Sequence, residues 1–555
     1  MKSIGTHRLT SERTIYIIFV FLLMLSSSIV NNPSSFIDSS NFPKWICFLF
    51  CVGILLLIFS LDYRNNISSI TNVEWGCIIY IFFAFFPFNG FQQNFLEALI
   101  FLSLIGFYFF LRTNGHSKAI DWATKSSIIC VGIYTLIIGL YQGIMKKEAI
   151  TGTFDSVTGF SLTIVLTICI LLYKLPPKKQ WLGYGVFVLS LLILILVKSR
   201  VGCLSICITF IAMQGRKVAA FTIVGGIGIF LLLSNVKRES TIGRAFIYKT
   251  SISMLDTPKH ILWGRGHNGF QKDYMLYQAK SLKDESEKIK ILADDIKHPL
   301  NEFLLLLIEF GIIRFCFLIA IFFALCHQTQ CDKLHTAILL NLLIFSLFSY
   351  PFTYPIAWIA LLWSVANIQK VKCSATPFHK GIFRIILFLF SGIILTRSYL
   401  HLTTKKEWEN AYNAYCLGQR QETRTLYSHL YEKLHNQQYF LYNYASVLLH
   451  IQCEKKALPI IQECMITSYD TELLYGDIYV GLKKYGKALK HYQLASEMCP
   501  NRFTPLYAMF NVYGRLSDKE HQANCAEIIL KKEIKIPSYE IELIKKNVKQ
   551  EMEKK

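Results

Sequence analysis

Three stretches of this chain carry side chains that could hold an anion and move a proton. The first is Lys198-Ser199-Arg200, two cations and a hydroxyl set between apolar runs. The second is ILWGRGHNGF at 261–270, which places Arg265 and His267 among Gly264, Gly266 and Gly269. Glycines at that density allow a tight turn and close approach of another backbone. The third is DDIKHPLNEFLLLLIEFGII at 294–313, where His298 precedes Pro299 and is followed by Asn301 and Glu302. Arg244 stands between the first and the second. Guanidinium groups bind phosphate through paired donors and stay charged, and imidazole titrates in the range that suits proton transfer. Together these types suit an anionic headgroup at a membrane surface. Each also has a plainer role: Lys198 and Arg200 as snorkelling anchors, His298 as a helix cap. The glycine spacing only loosely resembles a nucleotide-binding loop, and no strand–helix–strand context supports that use.

Pro299 suits the first turn of a helix, so His298 is expected at its N-cap, where backbone dipoles favour anions. Glu302 and Glu309, seven residues apart on one helical face, are costly at membrane depth. They are functional candidates or ion-pair partners of Arg314. Glu97 is a weaker candidate of the same kind.

The elements that must position these groups follow from composition. Of 555 residues 53% are hydrophobic and 17% charged, where a soluble domain carries about 25% charge. Lipid must cover part of this chain. Apolar runs long enough to cross about 30 Å of hydrocarbon fall near 14–30, 45–61, 75–88, 95–111, 126–144, 157–173, 181–197, 201–213, 218–233, 311–325, 337–348, 354–366 and 382–395, about thirteen in all. With the N-terminus inside, the inner tail and loops hold sixteen Lys/Arg and the short outer loops five, the asymmetry that fixes orientation. The long interval 234–298 then lies outside, as do Lys198 and Arg200.

The net charge is +21, but it does not read as a nucleic-acid surface. The first 401 residues hold 36 Lys/Arg against 19 Asp/Glu, mostly in short connectors, the pattern of topology and headgroups. The sixteen Cys show no CxxC pair and no zinc spacing, so neither a metal site nor a disulfide scaffold is expected.

After position 401 the sequence changes character. Gly476, Tyr479, Ala488, Tyr492, Ala495 and Pro500 occupy the small and aromatic positions of a tetratricopeptide helix pair, and a weaker copy lies 31 residues earlier. Small residues let paired helices approach and large ones fill the gap. The chain therefore divides at 1–401, a membrane domain, and 402–555, a helical-repeat domain suited to binding a protein or capping the structure. Parity places the repeats outside too, although their five cysteines, an odd number, fit an oxidising compartment poorly.

The many-span layout, the SRxG element (Ser199, Arg200, Gly202), GRAFIYKTSISM at 243–254, the Gly-rich turn and the His/Asn helix start resemble the O-antigen ligase family, over roughly 198–368. That family includes lipid A-core ligases, O-antigen polymerases and bacterial O-oligosaccharyltransferases. The resemblance implies an all-α, GT-C-like membrane glycosyltransferase that uses no metal, cofactor or nucleotide sugar, with a glycan on undecaprenyl diphosphate as donor. The family's His-Asn, nine residues, Gly pattern is matched at Asn301 and Gly311, while Leu300 occupies the His position and His298 lies two residues earlier.

On that resemblance Arg200 and Arg265, supported by Arg244, stabilise the leaving diphosphate, and His298 is the general base on an acceptor hydroxyl. Asn301 or Glu302 positions the acceptor, and Ser199 and His267 line the site. The acceptor is open: lipid A-core, a growing polysaccharide or a protein hydroxyl. A polysaccharide flippase and a non-catalytic repeat-bearing anchor are the readings from other classes. Nearly all Lys/Arg lie in loops, which speaks against the flippase. The setting is the bacterial inner membrane, with 234–298 periplasmic.

Overall fold

In the computed structural model the described residues are 2–31, 40–62, 69–85, 95–114, 117–146, 149–174, 180–214, 228, 238–327, 332–368, 375–377 and 379–553. An uninterrupted apolar run has one way of satisfying its own backbone in hydrocarbon as a single segment, the helix. The described chain is helical apart from one antiparallel pair, Ser69–Thr71 with Ala375–Pro377. Among the described residues six helices are long and apolar enough to cross a membrane: Asn41–Leu61, Leu96–Asn114, Lys118–Lys146, Val157–Lys174, Glu302–Ile321 and Lys380–Cys416. Five shorter apolar helices accompany them, Thr14–Ile29, Trp181–Leu196, Arg200–Ala212, Lys333–Phe348 and Pro355–Asn367. The expected run at 75–88 is the helix Asn72–Phe85, and the one at 218–233 lies outside the described residues.

Contacts between connectors sort them into two ends. At one end Arg384 donates to the carbonyls of Ser60 (3.0 Å) and Leu61 (3.3 Å), Arg112 pairs with Glu74 at 3.0 Å, and the two strands meet. At the other, Asp155 accepts from Asn41 (3.0 Å) and Tyr354 (2.6 Å), and Trp45 donates to the Thr353 carbonyl at 3.0 Å. Arg200 donates to Thr241 at 2.6 Å and Arg244 to the Phe348 carbonyl at 2.7 Å. These bonds bring the 198–200 turn and the polar interval to this second end. Residues 238–301 form a layer of four helices there, Arg238–Ser253, Pro258–Trp263, Gly269–Leu282 and Glu287–Leu292.

The 37-residue helix Lys380–Cys416 leaves at the same end. His401 lies against the Phe42 ring at 5.8 Å, and the Lys405 ammonium sits 3.6 Å from that ring's centre. It runs unbroken past position 402, so the boundary read from composition falls inside one helix. Eight further helices follow, from Arg420–Leu434 to Tyr539–Glu553, each packed on its neighbour. The expected small–large complementarity is visible at Gly476, where a Cβ would meet the Tyr492 ring at 2.3 Å.

These helices do not stand apart from the polar layer. Tyr469, Ala495, Met498 and Cys499 share one buried apolar cluster with Met254, Phe270, Tyr274 and Ile308. Buried Gln278 donates to the carbonyls of both Asp294 and Met498, at 2.9 Å each, and Arg502 pairs with Asp294 at 2.7 Å. The tail and the 238–301 layer therefore occupy the same end. The odd cysteine count had pointed the other way, but a thiol imposes no placement that outweighs a shared core. The five tail cysteines are free thiols.

Candidate functional site

The helix Glu302–His327 is broken at Gly311, whose φ of 72° and ψ of 175° no helix contains. A break frees carbonyls on its N-terminal side that must find other donors. The Gly-rich turn supplies them: Arg265 N–H bonds the Ile308 carbonyl at 2.8 Å and Gly266 N–H the Glu309 carbonyl at 2.9 Å. The two backbones approach so closely that a Cβ on Gly264 would lie 2.3 Å from the Glu309 oxygen. The close approach expected of these glycines is to the chain's own broken helix.

At the start of that helix the sequence reading needs correction. The helix begins at Glu302, not Pro299, because Asn301 is its cap: Asn301 Oδ1 accepts the Leu304 N–H at 3.0 Å. Leu300 sits in the left-handed region at φ 57°, which turns the chain before the cap, so His298 lies outside the helix. Its Nδ1 accepts the Leu300 N–H at 2.9 Å, which leaves the hydrogen of the neutral ring on Nε2. Nε2 faces Glu302 Oε2 at 3.7 Å, and the ring lies 5.1 Å from that of Tyr350. With its hydrogen already on Nε2, the ring presents a donor to the site. The Glu302 carboxylate beside it is an acceptor within the same group.

Arg200 opens the helix Arg200–Gln214. Ser199 is spent on capping it, its Oγ accepting the Gly202 N–H at 3.2 Å. Arg200 bonds Thr241 and Ser240. Arg244, one helical turn on from Ser240, binds the last carbonyl of the helix Lys333–Phe348. Between Arg244 and the His298 loop stands Tyr248, whose hydroxyl donates to the Leu300 carbonyl at 3.3 Å. Burial raises the Tyr248 pKa, while the charges of Arg244 and then Arg200 pull it down. Both guanidinium groups thus act on one phenol. Neither forms an ion pair with a carboxylate among the described residues.

Arg265 is placed differently. Its side chain is 7% exposed and pairs with Asp273 at 2.7 Å and Asp256 at 3.0 Å. It also donates to the Met254 carbonyl at 2.7 Å and to the Tyr277 hydroxyl, with that ring 4.8 Å from its centre. Asp256 is held at about 2, by hydrogen bonds from Tyr277 and then His260, with Arg265 adding charge. A guanidinium so saturated is a strut of the Gly-rich turn. Its contacts do not bring it into the Arg200–Arg244 group.

His267, at the tip of the turn, bonds Glu97 through Nε2 and lies 3.8 Å from Glu309 through Nδ1. Burial alone would lower its pKa, but Glu97 and then Glu309 together raise it. Glu309 is thus used by His267, not by Arg314, whose guanidinium lies 5.9 Å from the Phe310 ring centre.

Arg200, Arg244, His298, Asn301 and Glu302 are brought together through Tyr248 and Leu300; His267 joins from the far side through Glu309, and Arg265 stays apart. Sequence reasoning missed Tyr248 and Tyr350, since tyrosines are common in this chain; Tyr248 stands within the 243–254 element that was read for Arg244, and Tyr350 follows an apolar run. No protein-family model matches the chain, and no curated protein matches it either.

Proposed function

We propose that this protein is a polytopic membrane glycosyltransferase, with about twelve or thirteen spans in a GT-C-like arrangement and a tetratricopeptide-like tail. It moves a glycan from undecaprenyl diphosphate to an acceptor hydroxyl at the outer, periplasmic face of the bacterial inner membrane. The observation that carries the reading is the Arg200–Arg244 pair. Two guanidinium groups that pair with no carboxylate among the described residues share a layer with a histidine and a glutamate at the start of a broken helix.

The chemistry follows from that geometry. Attack by the acceptor oxygen forms the new glycosidic bond and breaks the bond from the anomeric carbon to the diphosphate oxygen, inverting the centre. The charge on the departing diphosphate falls to Arg200 and Arg244, fixed donors that need no reorganisation. The acceptor proton passes to Glu302, and His298 donates from Nε2 to orient the acceptor oxygen. Asn301 contributes by capping the helix that holds Glu302.

Lipid A-core, a growing polysaccharide and a protein hydroxyl all suit this site. The packing of 469–499 on the layer that holds the turn favours a protein acceptor or partner. The same packing counts against the anchor reading, because residues 402–555 alone would expose the Met498 side of a shared core. The deciding experiment deletes the gene and inspects lipopolysaccharide ladders and glycoproteins separately. Loss of neither, with the undecaprenyl-linked glycan still made, overturns the proposal.

A further inference from the structure

The six-residue helix Pro258–Trp263 carries three consecutive large apolar side chains that the described protein leaves uncovered: Ile261 is 43% exposed, Leu262 42% and Trp263 49%. Such a cluster in water is unfavourable and marks a surface that meets something apolar. The start of the segment is polar and tied down. Thr257 caps the helix by accepting the His260 N–H at 3.2 Å, His260 Nδ1 contacts Asp256 at 2.7 Å, and Asp256 pairs with Arg265. The segment is therefore fixed in place by its polar first turn, and its last three side chains are exposed and apolar.

Its neighbour identifies the occupant. The Leu262 backbone lies against the helix break, where a Cβ on Gly311 would be 2.4 Å from the Leu262 oxygen. Immediately after the break Ile312 and Ile313 are 39% and 44% exposed, on a helix apolar enough to cross a membrane. The exposed apolar residues of Pro258–Trp263 thus adjoin exposed apolar residues of a helix long and apolar enough to cross a membrane. Exposed Lys259 stands beside it, and tryptophan with a neighbouring cation is the usual composition of a membrane–water boundary.

We infer that Pro258–Trp263 is an interfacial element, with Ile261, Leu262 and Trp263 seated in the acyl chains of the leaflet at the 238–301 end. It runs directly into the Gly264–Gly266 turn and its backbone lies against the broken helix. Its depth in the leaflet therefore sets the height of the broken helix that carries Glu302, the proposed proton acceptor, a consequence that rests on the proposed function. The seating itself does not.

The test uses the full chain in nanodiscs of phosphatidylethanolamine and phosphatidylglycerol, with Trp263 replaced by a phenyl-diazirine amino acid. Photolysis is expected to give bulk phospholipid adducts at 263, as at the lipid-facing control Leu189, and none at Tyr539 in the tail. The same replacement at Leu262 serves if the first variant fails to insert. Adducts at 262 or 263 to a second copy of the chain alone, to added undecaprenyl diphosphate alone, or to water alone would overturn the seating. The readout requires no glycan transfer, so its failure is distinguishable from failure of the proposed activity.

Discussion

Gly264 and Gly311 cross at backbone contact: the Gly264 N lies 2.5 Å from where a Cβ on Gly311 would be, and the Gly311 N 2.6 Å from a Cβ on Gly264. Both have positive φ, 75° and 72°, so each is required twice, once for conformation and once for space. Strain alone costs about 1–3 kcal/mol per residue. Gly264→Ala and Gly311→Ala should each lower Tm in detergent by several degrees. Gly486→Ala, where a Cβ meets nothing within 4 Å, should leave it unchanged or raise it.

Arg200→Ala or Arg244→Ala should reduce transfer from an undecaprenyl-diphosphate glycan by about 10²-fold or more, with Tm little changed for Arg200→Ala. Lysine at either position keeps the charge but loses the paired donors, and should restore part of the rate. Arg265→Ala leaves Asp256 and Asp273 without their cation. At about 1.5–3 kcal/mol for a hydrogen bond to a charged group, it should lower Tm before it lowers the rate of the folded fraction. Full activity in the Arg200→Ala, Arg244→Ala double variant would remove the basis for the proposed site.

His298→Gln retains an N–H donor and should stay within about tenfold of the native rate, whereas Glu302→Gln, lacking the proton acceptor, should fall by about 10²–10⁴. If instead His298→Gln loses the rate and Glu302→Gln keeps it, the two roles are reversed.

The raised pKa of His267 makes stability depend on pH in a defined direction. Protonated His267 between Glu97 and Glu309 stabilises the fold, fully so below its ordinary unfolded value of about 6.5. That contribution is lost as pH rises through the higher folded value. Tm should fall with rising pH across this window in the native chain, and the slope should flatten in His267→Gln.

Gln278→Leu strips the donor from the carbonyls of part-buried Asp294 and buried Met498, at about 1–3 kcal/mol for the buried group left unsatisfied. Limited proteolysis should then cut more readily between the tail and the 238–301 layer, and Arg502→Ala should act in the same direction but less. Unchanged cleavage in Gln278→Leu would show that the apolar cluster alone holds the junction.

The helices were legible because long apolar runs have one structural solution. The candidate site was legible only in part. Arg200, His298 and Glu302 stood out by type, but charge on a residue says nothing about who neutralises it. Arg265 and Arg244 look alike in sequence; Asp256 and Asp273, brought in by folding, separate their roles. The helix start was misplaced because Pro299 carries a first-turn signal, while Asn301, a stronger cap, stands two residues later. The break at Gly311 leaves no mark in an otherwise continuous apolar run beyond the glycine itself.

The helix Lys380–Cys416 is about 55 Å long at 1.5 Å per residue, and its far end carries a domain that Gln278 and Arg502 fasten back onto the polar layer. Chain and contact thus close a ring through the bilayer. A tilt of this rod cannot swing the tail freely. It must either drag the layer above the membrane with it or break the Gln278 and Arg502 junction, so the thickness of the surrounding lipid and the spacing of the site are mechanically linked.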